Sequence, residues 1–318
     1  MVQLADISID DVHAAARRLS GVAVHTPLLA MRDEREIWLK PEVLQPVGSF
    51  KIRGAFNALA SRVEQGDLKE ASTLSAGNMS QGVAWSARQF GIAATAIMPE
   101  GAPASKIDAT RAYGADIEFI PREEVFRAMN DGRYNDRLGF IHPFDDPDVV
   151  AGHGTIGLEI VNDLSEVDSI VVPIGSGGLL IGIAVAAKSL RPDVKVIGVQ
   201  PEGASGFVAS FQRGSPVESG DGTFVDGAGS RFVMESMFDA LLECCDECIA
   251  VGDDQTREAI RRLADGNKLI AEGAGALSVA AAMQLDVRER GRTVCVVSGG
   301  SIDPALLAEI IAGDQDTA

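Results

Sequence analysis

Lys51 is the first residue whose type and surroundings suggest chemistry. The chain has only seven lysines, and this one lies in the segment SFKIRG at residues 49–54, at the first turn of a predicted helix. Unpaired backbone N–H groups at a helix start create a positive potential, which lowers the pKa of a lysine. A partly neutral amine is what Schiff-base chemistry requires. The position also suits an ordinary solvated lysine, so both interpretations stay open at this point.

A glycine-rich loop, GSGG at residues 175–178, joins a predicted apolar strand to a predicted apolar helix. In such a loop, backbone N–H groups and the helix N-terminus converge on an anion. Because Leu180 stands where GxGxxG needs glycine, and no P-loop lysine follows, a dinucleotide or nucleoside triphosphate is disfavoured. The loop fits a single phosphate monoester, or a tight turn without a ligand.

Two further loops carry polar groups next to predicted strands. SAGN at residues 75–78 precedes a predicted helix, so its N–H groups and the amide of Asn78 suit a carboxylate ligand. VSGG at residues 297–300 ends a buried strand with a hydroxyl and two glycines. It fits a ligand contact or an ordinary strand exit.

The histidines and cysteines do not predict a metal centre. His13, His25, His142 and His153 have no ligand spacing, and the CxxC at residues 245–248 has neither a second pair nor a nearby histidine. We therefore expect no metal site, and the cysteines read better as small buried hydrophobic residues. No GxSxG elbow is present, which disfavours a hydrolase triad.

The composition of the chain indicates which classes of partner to exclude and which cellular compartment to expect. The 318 residues include 46 Asp and Glu against 28 Lys and Arg, for a net charge of −18, so we expect neither nucleic acid nor anionic membrane as a partner. No apolar run reaches the roughly 18 residues that span a bilayer. The acidic start, MVQLADISIDD, does not resemble a secretory signal, and crowded cysteines without a disulfide framework fit a reducing cytoplasm.

Strands and helices alternate with the spacing of parallel α/β proteins, and the alternation restarts after residue 147. The pattern predicts strands at 37–40, 94–98, 116–120, 170–174, 194–199 and 293–297. It predicts helices at about 8–19, 49–61, 81–90, 104–113, 154–163, 179–190, 254–266 and 274–283. Residues 201–235, rich in glycine and serine, give no clear element. The fold class is α/β with two parallel sheets.

Taken together and in this order, the four loops resemble the fold type II pyridoxal-phosphate enzymes. The closest resemblance is to the short, biodegradative threonine/serine dehydratases (ammonia-lyases), and it covers nearly the whole chain. The motifs that carry it are HTPLL at 25–29, GSFKIRGA at 48–55, SAGNMSQGVA at 75–84, AYGA at 112–115, HPFDDP at 142–147, AGHGT at 151–155, EGAGA at 272–276 and SGGSID at 298–303.

The resemblance implies a fold like that of the tryptophan synthase β subunit. Two lobes, each with a mostly parallel twisted sheet flanked by helices, would enclose the cofactor, pyridoxal 5′-phosphate, in the cleft between them. The large lobe would comprise residues 1–52 and 148–318, and the small lobe residues 53–147. The chain would form a homodimer or a dimer of dimers, without a C-terminal regulatory domain.

The resemblance also implies roles for individual residues. Lys51 would bind the cofactor covalently and act as the catalytic base, with Phe50 beside the ring, Asn78 on its 3′-hydroxyl and Ser298 at the pyridine nitrogen. The remaining expected contacts are with the phosphate (Gly175, Ser176, Gly177, Gly178, Leu179), the substrate carboxylate (Ser75, Ala76, Gly77, Asn78) and the ring surroundings (Gly227, Glu272).

The implied reaction is the dehydration and deamination of a small β-hydroxy amino acid, such as L-threonine or L-serine, to a 2-oxo acid and ammonia. The sequence departs from the family at four positions: Met79 replaces the usual His, His153 the usual Gln, Ser176 a glycine and Ser301 the usual Asn. Met79 lies in the loop expected to bind the substrate, so the substrate side chain that the protein prefers stays open.

Four alternative functions stay open, two of which would share this fold and two of which belong to other classes of protein. A serine racemase, or a lyase for a bulkier β-hydroxy amino acid, would share the fold. Racemases of this family carry two carboxylates for a divalent cation, where this chain has Gln200 and Gly206, and a serine where it has Ala76. Both differences favour elimination. A non-catalytic binding protein conflicts with the intact Lys51, and a dinucleotide-dependent dehydrogenase conflicts with the missing GxGxxG.

Overall fold

The strands form two separate sheets in the computed structural model, which describes residues 6–66, 68–220 and 222–313. In chain order the strands are β1 (Leu29–Ala30), β2 (Ile37–Pro41), β3 (Glu70–Leu74), β4 (Ala93–Pro99), β5 (Asp116–Ile120), β6 (Ser169–Pro173), β7 (Lys195–Pro201), β8 (Glu247–Val251) and β9 (Thr293–Val297). The large sheet has six strands in the order β1-β2-β9-β6-β7-β8, and the small sheet has three in the order β3-β4-β5. All pairs are parallel except β1 with β2.

Helices connect the strands in the manner of an α/β protein. They are α1 (Ile9–Leu19), α2 (Lys51–Gln65), α3 (Asn78–Phe90), α4 (Ala104–Ala112), α5 (Val125–Asn130), α6 (Pro147–Asp163), α7 (Gly178–Leu190), α8 (Gly206–Arg213), α9 (Glu235–Cys244), α10 (Asp253–Asn267), α11 (Gly273–Ala282), α12 (Val287–Arg290) and α13 (Pro304–Ala312). Short 3₁₀ turns lie at Glu42–Leu44, Arg122–Glu124 and Glu202–Ala204. None of the helices within the described ranges is both long and apolar enough to cross a bilayer.

Both faces of the large sheet are covered, which explains why its central strands are continuously apolar. Along β9, Val294 and Val296 pack into a core formed with α6, α7 and α9, while Cys295 and Val297 pack into a second core formed with α10 and α11. Side chains alternate between the two faces of a strand, so a strand buried on both faces needs an apolar residue at every position.

The small sheet carries its own apolar core against α2 and α3, which includes Leu59, Ala71 and Val83. All of its strands come from the chain between residues 70 and 120, whereas the strands of the large sheet come from residues 29–41 and 169–297. The two sheets are therefore formed by different parts of the chain.

The first half of α6 differs from the sequence prediction. The sequence predicted a helix from about residue 154, but α6 begins at Pro147, capped by the Asp146 carboxylate, which accepts hydrogen bonds from the backbone N–H groups of Asp148 and Val149. The glycines of α6 allow this helix to approach α7 closely. A Cβ on Gly157 would lie 2.5 Å from the carbonyl oxygen of Ile183. The prediction was wrong because tertiary packing, rather than helix propensity, explains the glycines.

The segment between residues 201 and 235 contains a helix that the sequence did not predict. The buried side chain of Gln200 caps α8: its amide oxygen accepts hydrogen bonds from the backbone N–H groups of Phe207 at 2.8 Å and Val208 at 3.2 Å. Its amide nitrogen donates to the carbonyl oxygen of Ile174. The Gln200 side chain is therefore used in hydrogen bonds to the backbone. The racemases considered in the sequence analysis carry a carboxylate at this position.

Candidate active site

A cavity of about 320 Å³ lies between the two sheets and gathers the loops singled out in the sequence. Every residue predicted to touch a cofactor or a substrate carboxylate lines it. The predicted residues are Phe50, Lys51, Ser75, Ala76, Gly77, Asn78, Gly175, Ser176, Gly177, Gly178, Leu179, Gly227, Glu272 and Ser298.

Lys51 begins α2 and projects its amine into the cavity. The Nζ atom donates a long hydrogen bond of 3.4 Å to the carbonyl oxygen of Pro143 and lies 4.9 Å from the centroid of the Phe50 ring. Among the described residues, no carboxylate forms an ion pair with it. Burial lowers the pKa of this amine to about 8. The direction agrees with the sequence analysis, but the cause is desolvation rather than the potential of the helix start.

Residues 175–179, which we name the glycine cradle, follow the end of β6 and lead into α7. Gly177 has a φ of +104°, which disfavours any residue with a Cβ, and a Cβ on Gly175 would lie 2.9 Å from the carbonyl oxygen of Gly227. Ser176 does not have a positive φ, so the turn accepts a serine there. The cradle thus presents free backbone N–H groups at the start of α7 to the cavity.

Asn78 and Glu272 meet across the cavity from opposite sheets. Asn78 begins α3, and its amide nitrogen donates a 2.8 Å hydrogen bond to the carboxylate of Glu272, just before α11. Burial raises the pKa of Glu272 to about 7, although the Asn78 hydrogen bond opposes the rise. The protonated form of this carboxyl group is therefore more favoured than in an exposed glutamate.

Ser298 connects the end of β9 to the turn that carries Lys51. It is buried, and its carbonyl oxygen accepts a 3.0 Å hydrogen bond from the backbone N–H of Phe50. A bridge between Ser49 and Gly299 lies beside it. These contacts fix the first turn of α2 against the large sheet and place a neutral hydroxyl at the cavity wall.

The cavity also contains residues to which the sequence analysis gave no role. Lys106 on α4 and Asp226 form an ion pair across the cavity, and His153 on α6 forms part of the wall. The Asp226 charge contributes to the raised pKa of Glu272. Two features of the sequence could have indicated Lys106 and Asp226: lysines are scarce in this chain, and Asp226 lies directly before Gly227. Met79 also reaches the wall, but it is buried in the core of the small sheet.

Comparisons with known proteins agree with this arrangement. Residues 20–299 match the family described as pyridoxal-phosphate dependent enzyme. The chain is 42% identical over 316 residues to an L-threonine ammonia-lyase of Thermotoga maritima, covering 96% of this chain and 78% of that protein. It is 39% identical over 325 residues to the catabolic L-threonine dehydratase TdcB of Escherichia coli, covering 96% of each. The solved serine racemase of Dictyostelium discoideum superposes with a TM-score of 0.84 at 30% identity, covering 94% of this chain and 99% of that one.

Proposed function

The chain belongs to the pyridoxal-phosphate dependent threonine ammonia-lyase family, and we propose that it removes water from a β-hydroxy amino acid to leave an unsaturated amine, which takes up water again as it hydrolyses and releases ammonia. The products are a 2-oxo acid and ammonia. L-Threonine is the first candidate substrate, because relatives with 39–42% identity over most of the chain carry that activity in their names. L-Serine, one methyl group smaller, is the second.

Two observations indicate that the cavity suits pyridoxal 5′-phosphate. The buried Lys51 amine has no ion-pair partner among the described residues, as expected of a lysine reserved for a carbonyl ligand. The glycine cradle presents backbone N–H groups at the start of α7, in a turn whose φ of +104° at Gly177 favours glycine, as expected of a phosphate site. When bound, the cofactor supplies a carbonyl carbon for amine attachment and a conjugated ring that withdraws electrons.

The residues that would hold the cofactor come from six segments of the chain. Lys51 would bind it covalently, and the glycine cradle would hold its phosphate. The other proposed contacts are Phe50 beside the ring, Asn78 at its hydroxyl, Ser298 at its nitrogen, and Gly227 and Glu272 near the ring. The N–H groups of residues 75–78 would orient the substrate carboxylate.

Lys51 is the residue on which the proposed elimination depends. Because burial lowers its pKa from 10.5 to about 8, more of the amine is neutral near neutral pH than in an exposed lysine, and the neutral amine can accept the proton from the substrate Cα. The neutral hydroxyl of Ser298 at the ring nitrogen would keep that nitrogen unprotonated. With that nitrogen unprotonated, the ring would withdraw electrons less strongly, which suits elimination of the β-hydroxyl.

The observation that carries this proposal is the buried and unpaired amine of Lys51, and its replacement is the test. Lys51→Ala should abolish 2-oxo acid release and the visible absorption of lysine-bound cofactor, while the fold persists. Lys188→Ala is the matched control, since Lys188 forms an exposed ion pair with Asp246 outside the cavity. A panel of L-threonine, L-serine, their D-forms and bulkier β-hydroxy amino acids identifies the substrate. Substantial turnover by Lys51→Ala would contradict the proposal.

A serine racemase is the second candidate, favoured by the TM-score of 0.84 to a racemase structure. Racemisation needs an acid on the face of Cα opposite Lys51, and Ala76 has no proton to give. We therefore expect pyruvate to form much faster than D-serine from L-serine. Chiral chromatography of the remaining amino acid measures the ratio, and comparable rates would favour the racemase.

We also propose a two-lobe division, a homo-oligomer and a reducing compartment. The separate origin of the two sheets supports a large lobe of residues 1–52 and 148–318 and a small lobe of residues 53–147. The four free cysteines support a reducing cytoplasm. A homodimer or dimer of dimers is expected from the family resemblance, and light scattering of the purified protein measures it.

A further inference from the structure

His153 is a buried polar side chain without a hydrogen-bond partner. It is 1% exposed, and neither ring nitrogen has a partner among the described residues. Its ring is held on two sides: it packs edge-on against Phe50 at 4.6 Å, and Gly54 approaches it so closely that a Cβ there would lie 2.4 Å from Cε1. Leaving a buried donor and acceptor unpaired costs free energy, so each such group needs an explanation.

The charges around His153 indicate what kind of group would satisfy it. The imidazole lies within the field of two cations, Lys51 and Arg53, and burial together with these cations keeps its pKa well below 6.5. A neutral imidazole offers one N–H donor. Because the imidazole lines the cavity, a ligand there can reach it. An N–H donor that faces the cavity is complementary to an anionic oxygen.

The packing of α6 indicates which anionic oxygen lies within reach. His153 is one turn along α6 from Val150, whose Cγ2 atom lies 3.5 Å from the position of a Cβ on Gly178, in the glycine cradle at the start of α7. The same helix packs along α7, where a Cβ on Gly182 would lie 2.7 Å from the backbone nitrogen of Gly154. The loop at residues 75–78, by contrast, joins β3 to α3 in the other sheet.

We propose that His153 donates a hydrogen bond to the phosphate of the cofactor and is a further cofactor-binding residue. This inference rests on the proposed function, since it requires pyridoxal 5′-phosphate in the cavity. The helix N-terminus and the glycine cradle supply backbone donors, and His153 adds a side-chain donor from α6. The contact would pair the N–H of the imidazole, which is one of its two buried ring nitrogens.

The test compares the cofactor with its phosphate-free form, pyridoxal. The full-length holoenzyme is dialysed against a series of concentrations of each compound, and the retained visible absorption of the lysine-bound ligand gives the dissociation constant. His153→Leu should weaken binding of pyridoxal 5′-phosphate at least about tenfold, as expected for a lost hydrogen bond to a charged group, and change binding of pyridoxal by less than about twofold. His153→Gln keeps an N–H donor and should stay within about threefold of the unmodified protein.

Controls separate this role from a structural one. His25→Leu makes the same replacement at an exposed residue outside the cavity and should leave both dissociation constants unchanged. The melting temperature of cofactor-free His153→Leu should not fall, because leucine removes an unsatisfied polar group. Equal weakening for both ligands, or none for either, would overturn the proposal. A raised KM for L-threonine with unchanged cofactor affinity would assign the contact to the substrate carboxylate and also overturn it.

Different results would contradict the proposed function and the role of His153. If the unmodified protein shows no lysine-bound absorption and releases no 2-oxo acid, the proposed function fails. If both are present and His153→Leu binds pyridoxal 5′-phosphate as tightly as the unmodified protein, only the role of His153 fails.

Discussion

At the scale of single residues, the buried amine of Lys51 makes stability depend on pH. Its pKa falls from 10.5 to about 8 because burial disfavours the charged form. Between pH 8 and 10.5 the unfolded chain keeps the proton that the folded chain has lost, so the unfolded state binds more protons. The free energy of unfolding therefore rises with pH across this window.

We expect Lys51→Met to remove this dependence in the cofactor-free protein. Between pH 8 and 10.5, the free energy of unfolding of the unmodified protein should increase by up to roughly 3 kcal/mol relative to Lys51→Met. Urea denaturation at several pH values measures the difference. Lys268→Met, which removes an exposed lysine, is the control and should parallel the unmodified protein. A constant difference between the Lys51→Met and unmodified curves would show that the amine keeps its ordinary pKa.

The residues found by sequence analysis differ from those it missed in one respect. Lys51, Asn78 and the glycine cradle lie in local motifs whose chemistry is readable from neighbouring residues. Lys106 and Asp226 are 120 positions apart, and only the fold brings them together. The cause of the lowered pKa of Lys51 was missed for the same reason, since burial is a property of the assembled cavity.

At the scale of elements, a buried ion-pair network joins α2 to α6 and to the end of β2. The guanidinium of Arg53, 1% exposed, donates to Glu42 at 2.7 Å and to Glu159 at 2.6 Å, and Lys40 also donates to Glu159 at 2.5 Å. Because Arg53 lies two residues after Lys51, the network fixes the helix that carries the Lys51 amine.

Arg53→Met should destabilise the protein by about 3–5 kcal/mol, because it leaves the buried carboxylate of Glu42 without its charged partner. Denaturant unfolding gives the value. The exposed pair of Lys188 and Asp246 is the comparison, and Lys188→Met should cost no more than about 1 kcal/mol. Adding Glu42→Gln to Arg53→Met should recover part of the loss. Equal effects of the Arg53 and Lys188 replacements would contradict this account.

The glycines of α6 lead to a second prediction for elements. Gly157→Ala places a methyl group 2.5 Å from the carbonyl oxygen of Ile183 on α7, so we expect a loss of about 1–3 kcal/mol despite the higher helix propensity of alanine. Gly266→Ala on α10 is the matched control, since its methyl group would meet only the flexible side chain of Arg32 at 3.4 Å. That variant should be stabilised by up to about 1 kcal/mol. Thermal denaturation compares the two, and stabilisation by both would contradict the close approach.

Elements with a clear hydrophobic period were predictable, and those defined by packing were not. The capping box of Ser8 and Asp11 and the strand at residues 116–120 agree with the sequence. The start of α6 and the helices α8 and α9 do not, because the glycines of α6 pack between helices and α8 is capped by the distant side chain of Gln200.

At the scale of the whole molecule, the cavity wall is shared between the two sheets. Residues 75–78 come from the end of β3, whereas the glycine cradle and Ser298 come from the ends of β6 and β9. The carboxyl ends of the parallel strands in both sheets therefore face the same cavity, which is where ligands bind in open α/β sheets. A ligand held by both walls couples the stability of the two sheets.

Removal of the cofactor should therefore lower the melting temperature and broaden the transition. A ligand that binds only the folded state at a concentration one hundred times its Kd stabilises it by about 2.7 kcal/mol. For a chain of this length the expected shift is about 4 °C. Scanning calorimetry of holoenzyme, cofactor-free protein and cofactor-free protein with the cofactor restored measures it. Lys51→Ala, in which the proposed covalent attachment cannot form, should show a smaller shift. Because each sheet packs against its own apolar core, we expect the cofactor-free transition to split or widen as the small sheet unfolds first. Identical, single and equally sharp transitions with and without cofactor would show that the ligand does not couple the two sheets.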